Sequence, residues 1–354
     1  MASAAKRIRV SDDVGVSWYT LPGNSGEMTD ENSQLVDTVF GQSFESNESG
    51  IQGWAINANA LYKGFAGYVV TLKKTGTSTV MTGEACSLVS GKIYQIDDAA
   101  KQIWDIEAGS IDILDAAASV AAADILSIDY LNGIVEFEAA YTPTTPITVT
   151  GHYLPTADVA KAREYTLTQT AVAIDQTALE DAQANGGNRI FCYGLKTVGM
   201  DISGIYAAAS AFRALLTGRT LFVLEIAPEG ALTGSYFRGF FKLTDRGQSG
   251  DVGALEDESL TFTLNVPQDD PTYPDKLLVP CKWIHPAGTS LNLAVQKTLT
   301  AWEDSLDIDL EYLPDGTTGW TGTGIVTDCT MSGGIDSMNE FTANFQGDGV
   351  AVAV

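Results

Sequence analysis

"REYTLTQTAVAIDQTALEDAQANGG", residues 163–187, decides how the chain is read, because its Tyr-Thr-Leu repeats the one in "WYTLPG" at residues 18–23. A chain of 354 residues exceeds the size at which one hydrophobic core usually stops growing. A phrase that recurs in its middle therefore raises a duplicated domain before any single motif is weighed.

Working outward, each phrase is followed by similar material. An acidic stretch after Tyr19-Thr20-Leu21 leads to "DTVFGQSFESNESGIQGWAINANALY" (37–62), and a similar spacer after Tyr165 leads to "RIFCYGLKTVGMDISGIY" (189–206). Each reads as two alternating runs split by a glycine-containing turn, the pattern of a hairpin. The later copy continues into "AAASAFRALLTGR" (207–219), whose helical spacing is closed by Gly218, and then into strand-like runs at 221–230, 235–247 and 254–270. The earlier copy breaks off after Tyr62. Its missing half stands far downstream, as a helix over 290–305 and runs at 306–316, 319–334 and 335–349 in the same order. "LEIAPEG" (224–230) parallels "LEYLPDG" (310–316), and "SLTFTLNVPQDD" (259–270) parallels "EFTANFQGDG" (340–349).

The duplication reads as interleaved. One unit is 10–66 joined to 280–354, and the other, 163–275, lies inside it. Residues 67–160 are left over and read as a small β-rich insertion domain, with strand-like "GYVVTLKKTG", "GKIYQID", "ILSIDYLNGIVEFEAAY" and "PITVTGHYLP" and an Ala-rich stretch, "DAAASVAAAD" (115–124), of helical propensity. Within the opening quotation, Thr177-x-x-Glu180 has the form of a capping box and "ANGG" of a helix stop. This predicts two helical turns inside a long loop that carries Asp175, Thr177, Glu180 and Asp181, and long loops usually have a task.

Asp and Glu number 45 against 20 Lys and Arg, for a formal net charge of −25, so tight binding to phosphate backbones is disfavoured. The basic run Lys6-Arg7-Ile8-Arg9 reads as a flexible or packing arm. No apolar stretch suits a secretory signal or a membrane anchor, which leads to an expectation of folding in a cytoplasm and no membrane partner. Cys86, Cys192, Cys281 and Cys329 have no paired spacing, which argues against zinc and a disulfide framework and for buried free thiols.

Chemistry is thinly supported. The chain has two histidines, His152 and His285, neither near a nucleophile motif, and none of the phosphate-loop, dinucleotide, zincin or hydrolase signatures occurs. "PGNSGE" (22–27) reads as a loop, without the ordered His and Asp that a serine nucleophile needs. Asp307, Asp309 and Glu311 alternate with Ile308 and Leu310, so one strand face carries all three carboxylates. A calcium ladder, a catalytic cluster and a solvated acidic face stay open for them. Thr261, Thr263 and Asn265 alternate with apolar residues in the same way, as do Thr342, Asn344 and Gln346, giving each copy one core face and one polar face. No catalytic residue, cofactor or metal is assigned.

The hairpin, helix and three strands, with "YTLTQTAVAID", "GLKTVGMDISGIY" and "GWTGTGIVTDCTMSGGIDSMNEFTANFQGDG", resemble the tail tube proteins of long-tailed, siphovirus-type bacteriophages over residues 18–62 and 163–349. The resemblance implies a mainly β fold: two tail-tube-type β-sandwich or half-barrel domains, each with a flanking α-helix, plus the insertion. It implies a non-enzymatic structural protein of the virion tail, assembled in the host cytoplasm, whose rings stack into a conduit for DNA ejection. Tube proteins with one domain form hexameric rings, so a chain with two predicts a homotrimer with pseudo-sixfold symmetry. The implied partners are further copies, laterally and between rings, a tape measure protein and tail terminator or tip proteins, while DNA passes the lumen without specific binding. The acidic trio is a candidate lumen or outer-wall face, and residues 22–37 and 169–188 are candidate loops between rings. A secreted or capsid-associated β-rich binding module is the alternative reading. A carboxylate glycosidase, with Trp18, Trp54, Trp283, Trp302 and Trp320 as stacking candidates, stands behind it.

Overall fold

The computed structural model describes residues 6–36, 47–62, 71–159, 162–178, 188–205, 212–228, 234–249, 256–267, 269–276, 279–286, 291–334 and 337–354. It opens with β1 (Arg7–Ser11), β2 (Tyr19–Thr20), β3 (Gly23–Val36) and β4 (Asn47–Tyr62). β5 (Thr71–Thr75), β6 (Thr79–Ser90), β7 (Ile93–Ile96), β8 (Asp112–Asp115), β9 (Ala118–Ser119), β10 (Ile125–Asp129), β11 (Ile134–Phe137), β12 (Ile147–Tyr153) and β13 (Thr156–Asp158) come next. β14 (Ala162–Asp175), β15 (Phe191–Ile205), α1 (Phe212–Gly218), β16 (Phe222–Ala227), β17 (Tyr236–Ser249), β18 (Asp257–Leu264) and β19 (Cys281–Ile284) follow. α2 (Leu293–Asp304), β20 (Ile308–Leu313), β21 (Trp320–Gly334) and β22 (Ser337–Ala353) complete the set, and the class is mainly β as expected.

The chain divides into two compact units, one of Met1–Tyr68, Glu164–Met200 and Ala287–Val354, the other of Val69–Arg163 and Asp201–Pro286. In the first unit an antiparallel sheet runs β2-β1-β20-β21-β22-β4-β3, and β14 adds to β21. α2 covers it. Ala294, Val295, Thr298, Leu299 and Trp302 are buried, a stripe at helical spacing, and the helix starts where Asn292 accepts from the Ala294 amide at 2.8 Å. It stops at Ser305, whose φ of 56° is left-handed.

In the second unit β13-β5-β16-β17-β18 form one sheet, with β19 also on β17, and β10-β11-β7-β6-β12-β8-β9 form another. The two sheets share a core that includes Trp104, Tyr130 and Phe137 from the insertion and Val223, Phe240 and Tyr273 from the rest. Two buried side chains staple that junction: Asp270 accepts from the Ile111 amide at 2.9 Å, and the Tyr273 hydroxyl accepts from the Ile113 amide at 2.9 Å.

Several expectations give way to the strand pairings. Of residues 22–37, read as a loop, 23–36 form β3, and its partner is β4; 47–62 is one strand, and the first run of the hairpin expected over 37–62 lies outside the described residues. Residues 191–205 are likewise one strand, β15, beside β14. The glycines do not turn these strands: Gly53 stands opposite Glu31 within the β3–β4 ladder, and Gly194 and Gly199 lie inside β15. The Ala-rich stretch is a tight β8-β9 hairpin with Ala116 and Ala117 at φ of 45° and 72°, followed by a single 3-10 turn over Ala122–Asp124. Propensity loses there to the burial of Val120 and Ile113, which are joined by a 2.8 Å backbone bond. The two Tyr-Thr-Leu phrases occupy different places, Tyr19 in the two-residue β2 and Tyr165 inside the 14-residue β14.

Below the level of phrasing, two strand sets share one connectivity, β1-β20-β21-β22-β4-β3 and β5-β16-β17-β18-β15-β14, with α2 preceding β20 and α1 preceding β16. They share atomic detail as well. β21 is bulged between Val326 and Asp328 and β17 between Leu243 and Asp245. At each bulge the extra threonine reaches across: Thr327 donates to the Asn344 carbonyl at 3.1 Å, and Thr244 to the Thr261 carbonyl at 3.0 Å. Arg9 stands opposite Glu311 on β1 and β20, and Lys73 opposite Glu225 on β5 and β16.

Candidate assembly surface

The polar faces foreseen on β18 and β22 follow from a strict two-residue period. Phe341, Ala343 and Phe345 are buried and Thr342, Asn344 and Gln346 are half-buried on the other side. Register extends that side across the first unit: Asn344 stands between Asp328 and Asn57, and Thr342 between Thr330 and Asn59. Beyond them come Ser25 and Glu27 on β3 and Thr168 and Thr170 on β14. These groups bond mostly to one another. Asn57 donates to Asn344, Asn59 to Ser25 at 3.3 Å and Thr330 to Asp328 at 3.3 Å, while the Thr170 and Thr197 hydroxyls lie 2.6 Å apart. Gln346 donates to the Trp54 carbonyl at 3.0 Å. The charged members, Glu27, Asp328 and Glu340, are carboxylates, and burial holds the Asp328 carboxyl above the usual range.

In the second unit Thr261 and Thr263 are exposed, and Asn265 is half-buried with its amide turned to the Val266 carbonyl at 2.9 Å. Thr261 donates to Asp201 at 2.7 Å and stands opposite Asp245, while Thr263 stands opposite Lys242.

The acidic trio does not form one solvated face. Asp307 is exposed, with its carboxyl held above the usual range by burial first and then by Asp348 and Asp309. Asp309 accepts from Thr323 at 3.0 Å. Glu311 is buried beside β1, where Arg9 meets it at 2.6 Å, so Arg7-Ile8-Arg9 of the basic run belong to a paired strand whose second arginine also lies 5.5 Å from the Trp18 ring. Asp309 and Asp348 flank an open groove of about 710 Å³ bordered by Val14, Trp18, Val350 and Val352. Its carboxylates are engaged by neighbours, Asp348 by the Phe191 amide at 2.8 Å.

Of the proposed inter-ring loop, Asp175 ends β14 and accepts from the Thr177 amide at 2.9 Å and the Thr177 hydroxyl at 2.6 Å. The Thr177 hydroxyl in turn accepts from the Ile190 amide at 2.9 Å. Glu180 and Asp181, and the helix expected after Thr177, lie outside the described residues.

None of the four cysteines forms a disulfide, and Cys329 alone of them is buried. The other three are half-buried, against the expectation of buried thiols. Burial pushes the Cys86 thiol up to about 12, so it is protonated at neutral pH. Among the described residues no three His, Cys, Asp or Glu side chains converge in a way that would hold a metal ion.

Sequence reasoning missed the buried ion pairs. Glu225 accepts from Arg238 at 2.6 Å and lies 3.7 Å from Lys73, and Glu311 is its counterpart. The signal was present, since "VLEIA" (223–227) and "LEYL" (310–313) each place a lone Glu inside a buried run. The "QGDG" close also has a steric reason: a Cβ on Gly347 would lie 2.1 Å from the Trp54 ring, and Gly349 has φ of +76° while its carbonyl accepts from the Trp54 indole at 3.1 Å.

No family model and no curated protein matches the chain. Among solved structures, the chain is similar at 18% identity to a chain of the tail of an empty gene transfer agent particle with C6 symmetry, covering 31% of this chain and 81% of that one at a TM-score of 0.27. It is similar at 16% identity to a chain of the virion of a native gene transfer agent particle, covering 30% and 82% at a TM-score of 0.27.

Proposed function

We propose that this protein is a structural component of a phage-type virion tail, three copies closing a ring with pseudo-sixfold symmetry and rings stacking into the tube through which DNA leaves. The observation that carries the reading is a joint inside the chain. β14, from one strand set, pairs with β21 of the other from Glu164–Gly334 to Thr170–Asp328. Two copies of one β module thus meet edge to edge within a polypeptide, as neighbouring subunits of a ring would, and ring closure is the general remedy for open sheet edges.

In this reading the face built on Thr342, Asn344, Thr330 and Asn57 lines the lumen. Hydroxyls and amides that already bond one another leave little for DNA to grip, and the carboxylates repel its phosphates. No chemical step is required. The tape measure and terminator or tip proteins are the partners the reading implies, and the insertion sits on the outside of the tube, where a domain of its size leaves the channel open. Electron microscopy of the purified protein tests it: tubes or rings with sixfold modulation support the reading, and monodisperse monomers at every salt and protein concentration sink it.

A further inference from the structure

The joint inside the chain implies a second one that the chain leaves open. β21 is flanked twice along one side, by β20 over Trp320–Gly324 and by β14 over Asp328–Gly334. Its counterpart β17 is flanked on that side by β16 over Phe237–Phe241. Among the described residues, no strand lies there beside Thr244, Asp245, Gly247, Gln248 or Ser249. The counterpart of β14 is β3, which pairs with β4 along one edge and, among the described residues, with no strand along the other. Each chain therefore carries one completed joint and both halves of another.

We propose, resting on the tube reading, that β3 of one copy pairs antiparallel with the Thr244–Ser249 edge of β17 in a second copy, closing the ring head to tail. The internal joint supplies the register. Buried Trp54, Ile56 and Ala58 on β4 correspond to buried Val198, Met200 and Ile202 on β15, which makes Gly53 the counterpart of Thr197. Glu31 stands opposite Gly53 and Thr170 lies against Thr197, so Glu31 corresponds to Thr170. Carrying the Thr170–Asp328 register over places Glu31 opposite Asp245, Asp30 opposite Arg246, Met28 opposite Gln248 and Glu27 opposite Ser249. Asp30 and Arg246 make an oppositely charged pair on the same side of that ladder, with the Arg246 Nε already donating to Glu258 at 2.6 Å. Glu31 and Asp245 are a like-charged one, which makes the seam weaker than the internal joint and sensitive to salt.

Cysteine pairs read this register directly, because directly opposed antiparallel residues have Cα atoms about 4.5–5.5 Å apart, within disulfide range, whereas partners two residues off do not. The full-length E27C/S249C variant, oxidised under assembly conditions, is expected to run on non-reducing gels as covalent dimers and trimers and nothing larger. An equal mixture of the E27C and S249C single variants should stop at dimers, and T29C/S249C should stay monomeric. Rings under the microscope with no cross-link in E27C/S249C overturn this seam and leave the tube reading standing. Cross-linking of T29C/S249C in its place overturns the register, and a cross-linked monomer of altered mobility overturns pairing between copies. Absence of both rings and cross-links defeats the seam together with the reading it rests on.

Discussion

Replacing Arg238 by Met tests the physical core of the second unit. Arg238 is 8% exposed, and its Nε donates to Glu225 at 2.6 Å. Its Nη1 faces the Leu131 carbonyl at 3.1 Å, Asn132 at 3.2 Å and Gln102 at 3.3 Å, so one nitrogen with two hydrogens serves three acceptors that reach in from the insertion. Met fills similar volume but donates nothing. It leaves Glu225 with Lys73 alone, at 3.7 Å, together with acceptors stripped of their donor. Removing one member of a buried pair costs about 3–5 kcal/mol, and the Lys73 contact puts this case near the lower end, about 3 kcal/mol. Urea unfolding followed through Trp104 and Trp283 fluorescence measures the cost in the unit concerned. The E225L/R238M double variant removes both charges and is expected to recover most of the loss. A single variant within about 1 kcal/mol of the parent, or a double variant as damaged as the two singles summed, refutes the reasoning.

Three further outcomes are expected. Thr327→Val and Thr244→Val each remove one hydroxyl bond at equivalent bulges and should cost about 1 kcal/mol apiece by chemical denaturation, with the two losses similar to each other. Gly347→Ala drives a methyl into the Trp54 ring and should cost about 1–3 kcal/mol and shift Trp emission; an unperturbed thermal melt counts against the steric account of that glycine. Asp13, held at about 2 against an ordinary 3.8 by hydrogen bonds from Ser11 and then Ser17, stabilises its turn above 3.8. That contribution is lost as pH falls through about 2, so Trp18 fluorescence should change in this window and Asp13→Asn should abolish the change.

Faces were legible in the sequence and partners were not. Two-residue periodicity fixed which side of β18 and β22 meets the core, because burying Phe341 and Phe345 on one side obliges Thr342 and Asn344 to the other. Periodicity is silent on which strand lies alongside, and so residues 37–62 read as a hairpin by themselves, whereas the ladder of β4 is with β3. β3 escaped notice because "GNSGEMTDENSQLV" has no apolar alternation, the composition of an edge strand whose backbone does the pairing. The acidic trio failed for another reason. Spacing puts Asp309 and Glu311 on one side of β20, but only the pairing of β1 with β20 sets Arg9 against Glu311, which is buried there while Asp309 stays half-buried at the open groove. The duplicated "LEIAPEG" and "LEYLPDG" were readable as repeats, while the reason for the shared Glu, a cation on the neighbouring strand, required the pairing of β1 with β20 and of β5 with β16.

The same correspondence explains how the insertion is accommodated. β1 and β5 are counterparts, and in the first set Asp12–Pro22 carries the chain from β1 to β3, whereas in the second the whole β6–β12 sheet lies between β5 and β14. The excursion begins and ends on neighbouring strands, since Thr75 stands directly opposite Thr156 and the Gly76 amide donates to the Pro155 carbonyl at 2.7 Å. A domain whose two ends are one strand spacing apart can be spliced into a loop without moving the sheet that receives it. Its own stability is then tied back to the receiving module through Arg238, Asp270 and Tyr273, three buried polar side chains from β17 and the segment after β18. Cutting the insertion out by joining Thr75 to Thr156 through a short glycine turn, with Arg238, Asp270 and Tyr273 replaced by apolar residues of similar size, should therefore leave β5, β16, β17 and β18 paired. On the proposed tube reading, ring formation by that shortened chain separates the module that assembles from the domain it carries; a chain that aggregates through the newly uncovered Val223 and Phe240 would show that the insertion's core is indispensable to its host sheet.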